Sequence, residues 1–215
     1  MTRAVVFDLW DTIVDFDAEG TAAFHHEVAR RIGRDPDEFV ALWNEGRATR
    51  DSGPFRDYLV SLGVGEHADE VIRLRHEETR RQLVPRPGAV ETIEELRRRG
   101  LRTGMISVCS DDVPLLWPET AFADLFDATV FSCSVRLRKP DPRIYRLALD
   151  ELEVEPGEAM FVGDGANDEL AGAERVGMRA VLIHRPGQEP IWDEARDWRG
   201  ARITSVPEVL SLLDG

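Results

Sequence analysis

An α/β fold built on a doubly wound, mostly parallel sheet follows from three features of the sequence. From residue 85 onward, short β-branched runs alternate with helical patterns, as expected for parallel strands joined by crossover helices. Residues 15–84 interrupt that rhythm with apolar residues at helical spacing and no strand-like run. Finally, Asp8, Ser107 and Asp164 fall at the ends of predicted strands and Lys139 follows another. In open parallel sheets, ligands bind outside these carboxyl ends. The 215 residues suit one large domain or a core with an insertion. The expected division is a core of 1–14 and 85–215 with a helical domain at 15–84.

The elements follow in order. Residues 3–9 form a β-branched and aromatic run that reads as a buried strand with Asp8 at its end. Helical periodicity occupies 21–32, 37–49, 54–62 and 66–83, punctuated by Gly33, Gly53, Gly63 and Gly65. After Pro85-Arg86-Pro87-Gly88, a helix at 88–99 stops at Gly100. A strand at 102–107 and a short helix near 110–116 come next, then a strand at 128–132. Asp141-Pro142 supplies an N-cap and a first-position proline for the next helix. A strand at 159–163 runs into Gly163-Asp164-Gly165, with a helix starting near Ala166. A strand at 179–183 and a helix at 206–213 complete a Rossmann-like core.

Composition narrows the function. The chain is 42% apolar and 32% charged, with a net charge of −14. No basic stripe is available for a nucleic-acid backbone, so no nucleic-acid partner is expected. No apolar stretch approaches membrane-spanning length, and the N-terminus lacks a signal-peptide pattern. Cys109 and Cys133, the only cysteines, form neither a disulfide framework nor a metal-type spacing. A reduced, cytoplasmic protein is expected, as monomer or homodimer. The runs Arg80-Arg81 and Arg97-Arg98-Arg99 read as solvated helix ends.

Of 27 strongly basic residues, only Lys139 is a lysine. Its position therefore calls for a compact ammonium rather than a planar guanidinium. Asp164 and Asp168 lie four apart across a glycine-rich turn into a helix; a plain N-cap role accounts for one of them but not both. A strand-end Asp8 can cap a turn, and a lone Ser107 is by itself structural.

The segments Phe7-Asp8-Leu9-Trp10-Asp11-Thr12, Ile106-Ser107, Arg138-Lys139-Pro140 and Val162-Gly163-Asp164-Gly165-Ala166-Asn167-Asp168 together resemble, in order, the four motifs of the haloacid dehalogenase superfamily. The resemblance covers nearly the whole chain. It implies that 15–84 is a helical cap of the first type, closing over the sheet edge. It also implies that Asp8 is a nucleophile forming a covalent aspartyl intermediate. Thr12 would orient the loop and bind the substrate anion, Ser107 would donate to a phosphate oxygen, and Lys139 would balance charge on substrate and Asp8. Asp8, the backbone carbonyl of Trp10 and Asp164 would hold Mg²⁺. Asp168 would order Lys139 or a metal-bound water.

One departure matters. The family's phosphatases carry a general acid/base Asp two residues after the nucleophile, where this chain has Trp10. Such a loss typically costs ~10²–10⁴-fold in rate. Asp11 is adjacent, but neighbours on extended chain point to opposite sides. Family dehalogenases carry an aromatic residue at this position and need no metal. They lack the Asp corresponding to Asp164, however, and use an Asn where Val108 stands. Phosphonatases need a cap lysine, and 15–84 contains none. The leading expectation is a Mg²⁺-dependent phosphatase for a small anionic substrate with a good leaving group. The alternatives are a metal-independent 2-haloacid dehalogenase and a phosphate-binding protein with little turnover.

Substrate contacts from the inserted helices are expected among Phe16, Phe24, His25, Trp43, Arg47, Arg50, Phe55 and Arg56, with most of the aromatics packing as core. His25 is a candidate second acid/base. His25-His26 does not suit a metal pair, since adjacent helical residues do not share a face. Trp117, Trp192 and Trp198 lie outside the motifs and read as core or as a self-association surface.

Overall fold

The structure is a computed structural model describing residues 1–185, 187 and 190–213. Six strands form one sheet: β1 (Ala4–Phe7), β2 (Arg102–Ser107), β3 (Ala128–Phe131), β4 (Ala159–Gly163), β5 (Arg179–Ile183) and β6 (Ala201–Ile203). Their order is β3-β2-β1-β4-β5-β6, and every neighbouring pair is parallel. This is the doubly wound order, with its reversal between β1 and its two neighbours.

Strand alternation sorts the core into two layers. Val5, Phe7, Met105, Met160 and Val162 face one side, packed with Ile93 and Leu96 of α6 (Ala89–Arg98). Ala4, Val6, Ile106 and Phe161 face the other, packed with α9 (Pro142–Leu152) and α10 (Glu169–Val176). The Asp141 side chain accepts from the Arg143 N–H at 2.9 Å and caps α9 as its sequence suggests.

Between β1 and β2 lie α1 (Ala18–Arg31), α2 (Pro36–Glu45), α3 (Arg47–Arg50), α4 (Phe55–Ser61) and α5 (Ala68–Gln82). They enclose a separate apolar cluster around Phe24, Phe39, Trp43, Phe55 and Tyr58. The Trp43 ring has Phe24, His25, Phe39, Phe55 and Tyr58 around it, with centroids 4.9–5.7 Å away. Where the chain leaves and re-enters the sheet layer, Val14 bridges Pro85. The helices touch the rest of the molecule through the Phe55 N–H to Asp111 (3.0 Å), the Ser132 hydroxyl to the Asp51 carbonyl (2.7 Å) and Arg75 with Asp112 (3.0 Å).

Several boundaries differ from expectation. The 37–49 pattern divides into α2 and α3 at Gly46. The last segment is a 3₁₀ helix, Val206–Leu212, and α10 begins at Glu169 after a 3₁₀ turn at Ala166–Asp168. Strand β6 and helix α11 (Asp193–Asp197) carried too short a pattern to be read. The remaining short helices are α7 (Asp112–Leu116) and α8 (Ser132–Val135). Trp117 and Trp198 are buried in the two core layers, so neither offers an association surface. Among the described residues, no helix is long and apolar enough to cross a membrane.

Phe39 is fully buried among these rings. Phe39→Ala should cost ~3–5 kcal/mol of stability, read from chemical denaturation.

Candidate active site

The site forms at the carboxyl ends of the strands, where the strand order reverses. Asp8 directly follows β1, and its N–H still bonds the Val162 carbonyl at 2.8 Å, so the carboxylate leaves the sheet edge on fixed backbone. The Thr12 hydroxyl donates to Asp8 Oδ2 at 3.2 Å. Lys139 Nζ donates to Asp8 Oδ1, to Glu169 Oε2 and, at 3.2 Å, to the Ile106 carbonyl. Burial works to discharge the ammonium, but Asp8 and Glu169 outweigh it and hold the Lys139 pKa above the ordinary value. A compact donor reaching three acceptors is what the single lysine supplies.

The second carboxylate on Lys139 is Glu169, whereas the sequence pointed to Asp168. Asn167 and Asp168 both adopt left-handed backbone, with φ of 58° and 52°. That double twist turns Asp168 out to solvent and delivers Glu169, fully buried, to the ammonium. Glu169 Oε1 accepts from the Gly165 N–H at 3.1 Å. Gly163 makes room for it, since a Cβ there would sit 2.1 Å from Oε1. Burial raises the Glu169 pKa well above normal; Asp8 and Asp164 add to the rise and Lys139 opposes it.

Asp164 follows β4. Its Oδ1 accepts from the Ala166 N–H at 3.1 Å and its Oδ2 from the Trp192 indole N–H at 2.9 Å. Burial, then the charge of Asp8, pushes its pKa up to about 6. Ligand oxygens of Asp8, Asp164 and Glu169 lie within 4.8 Å of one another. Three converging carboxylates against one ammonium leave an excess of negative charge, which suits a divalent cation with oxygen ligands. Glu169 is fully buried and does not line the cavity, whereas Asp8 and Asp164 do, so those two are the accessible pair.

A cavity of about 350 Å³ opens above these groups. Asp8, Trp10, Asp11, Lys139 and Asp164 line it from the sheet edge. Phe16, His25, Trp43, Arg47 and Arg50 line it from the other side, with Trp192 beside them. Phe24 and Phe55 pack in the helical core, and Arg56 pairs with exposed Asp69. Asp11 does share the cavity with Trp10, contrary to the extended-chain expectation, because its φ of 54° breaks the alternation. Its carboxylate is engaged by the Phe16 N–H at 3.2 Å and by Arg86 at 3.5 Å.

Thr12 and Ser107 are fully buried and do not line the cavity. Thr12 acts on Asp8 itself. The Ser107 hydroxyl, among the described residues, has no hydrogen-bond partner. Trp192 and Glu169 are the site residues that sequence reasoning missed.

His25 packs against Phe24, Phe39 and Trp43, and its buried Nε2 has no hydrogen-bond partner among the described residues. Burial, then Arg75 and Arg50, lowers its pKa to about 4, so the ring is neutral near pH 7. That removes it as an acid at neutral pH.

A model of the family described as haloacid dehalogenase-like hydrolase matches residues 2–177. A Mycobacterium tuberculosis phosphatase is 33% identical, over 99% of this chain and 97% of its own. The (S)-2-haloacid dehalogenase 4A of Burkholderia cepacia is 29% identical, over 98% and 94% respectively. Among solved structures, a 2-haloacid dehalogenase from Pseudomonas syringae superposes with a TM-score of 0.76 at 26% identity, covering 100% of this chain and 99% of that one.

Two predictions follow from the charges. Lys139→Met strands buried carboxylates without a counter-charge and should cost ~3–5 kcal/mol in urea denaturation. For His25, the unfolded chain binds a proton between pH 6.5 and about 4 that the folded chain refuses. Its contribution to stability therefore falls as pH drops through that window. Thermal melts should show the gap between wild type and His25→Gln narrowing from pH 6.5 to 4; a pH-independent gap would contradict a neutral His25.

Proposed function

We propose that this chain, which belongs to the haloacid dehalogenase-like hydrolases, is a Mg²⁺-dependent phosphatase for a small phosphorylated metabolite, using Asp8 as nucleophile. The observation that carries this reading is Asp164. A second carboxylate held against the nucleophile, with its pKa raised by burial and by Asp8, is unfavourable by itself and is relieved by a cation. Asp8, Asp164 and the Trp10 carbonyl would hold Mg²⁺, which when bound would neutralise negative charge on the substrate phosphoryl group.

The chain's own residues then have defined tasks. An Asp8 oxygen attacks phosphorus, the bond to the leaving oxygen breaks, and an aspartyl-phosphate forms for later hydrolysis. Thr12 and Lys139 fix the carboxylate's orientation by engaging one oxygen each. Lys139 also opposes the charge gathered on the transferring group. The Ser107 hydroxyl, which has no partner among the described residues, is the donor assigned to a phosphoryl oxygen. The helical segment 15–84 serves as a cap, with its arginines facing the substrate. With Trp10 where an acid would stand and Asp11 tied to its own loop, substrates whose leaving group departs without a proton are favoured. Acyl and aryl phosphates meet that requirement.

Trp10 also favours a second reading, metal-independent 2-haloacid dehalogenation, in which halide leaves unprotonated. A panel of phosphate esters and 2-haloacids, assayed with Mg²⁺ and with chelator, separates the two. Phosphate release that requires Mg²⁺ is expected; halide release in chelator without phosphate release would overturn the phosphatase reading. Asp8→Asn should abolish turnover with the fold retained by circular dichroism, and Lys139→Arg should fail as well despite its charge. Trp10→Asp should accelerate alkyl phosphate hydrolysis by ~10²-fold, the lower end of what a general acid contributes.

A further inference from the structure

We propose that Trp192 is a positioning residue that couples the candidate cation site to the inserted helices; this rests on the cation reading above. Its indole N–H donates to Asp164 Oδ2 at 2.9 Å, and the Arg47 guanidinium lies 6.0 Å from the centre of its ring. One side chain therefore touches a motif carboxylate through its polar edge and an arginine of the inserted helices through its π face.

The surrounding structure presents this indole rigidly. Trp192 immediately precedes α11, and α11 is docked on the loop that carries Asp164. Glu194 accepts from the Ala171 N–H at 2.7 Å and the Leu170 N–H at 3.1 Å, capping the start of α10. Ala195 lies against Gly165, where a Cβ would come within 3.1 Å of both its Cβ and its N. Gly165 has a φ of +88°, so glycine serves both the turn and this close approach. The segment is thus seated on the turn and the helix start that follow Asp164, and the indole completes the contact.

The function of the hydrogen bond follows from lone-pair geometry. A carboxylate that ligates a cation must be held in one rotamer, and partners of such ligands typically contribute 10–100-fold to metal affinity. For Asp164 the Ala166 N–H fixes one oxygen and Trp192 the other, and each oxygen keeps a lone pair for a cation. The ring contact adds a second task, because Arg47 lines the cavity and its position bears on the substrate.

Trp192→Phe retains a ring and loses the donor; Trp192→Ala loses both. Mn²⁺ titrated into substrate-free protein, with free ion followed by electron paramagnetic resonance, should show Kd rising about 10-fold in Trp192→Phe. Steady-state assays at saturating Mn²⁺ should then show a larger rise in KM for Trp192→Ala than for Trp192→Phe. A Trp192→Phe protein that binds Mn²⁺ as tightly as wild type overturns the positioning role while leaving the phosphatase reading intact. Equal KM values in the two variants overturn the Arg47 half. Wild-type protein that takes up no Mn²⁺ overturns both this inference and the cation reading. A merely structural Trp192 would lower the thermal midpoint in both variants and leave the Mn²⁺ affinity of the folded fraction unchanged.

Discussion

Gathering three carboxylates at one sheet edge is tolerable only because a buried ammonium stands among them. Lys139 ties Asp8 to Glu169, two residues far apart in the chain, and anchors itself on the Ile106 carbonyl of the neighbouring strand. Like charges brought together out of water would otherwise take up protons or push apart. The glycine at 163, the left-handed pair at 167 and 168 and the choice of lysine in an arginine-rich chain all serve that arrangement.

The sheet order explains why these groups meet. With β1 between β2 and β4, the loops after all three strands open on one edge, and the connection leaving β1 carries the inserted helices. Asp8 follows β1, Ser107 ends β2 and Asp164 follows β4. The strand ends contribute the carboxylates and the helices contribute Trp43, Arg47 and Arg50, so the two sides of the cavity are built from separate parts of the molecule.

Much of this was legible beforehand because strand ends are punctuated in the sequence. A β-branched run stopping at an aspartate, and a lone lysine before a proline, identify positions without knowledge of packing. Glu169 was obscured by a turn: a spacing of four suits a regular helix and favours Asp168, but two left-handed residues shift the register by one. A clue was present, because Glu169 shares a helix face with Gly172 and Ala173, which pack inward. Asp11 was misjudged for the same kind of reason, since one positive φ cancels strand alternation. Trp192 lies in a stretch with no period, where only the folded chain reveals its partner.

The bridge between Val14 and Pro85, with the Arg86 N–H on the Ile13 carbonyl at 2.8 Å, fastens together the two connections to the inserted helices. Departure and return of the chain thus form one local junction a few residues beyond Asp8. Trp43 lies far from that junction along the chain and is placed by the helices' own aromatic cluster, so a change in the lining the helices provide need not redraw the backbone that presents Asp8.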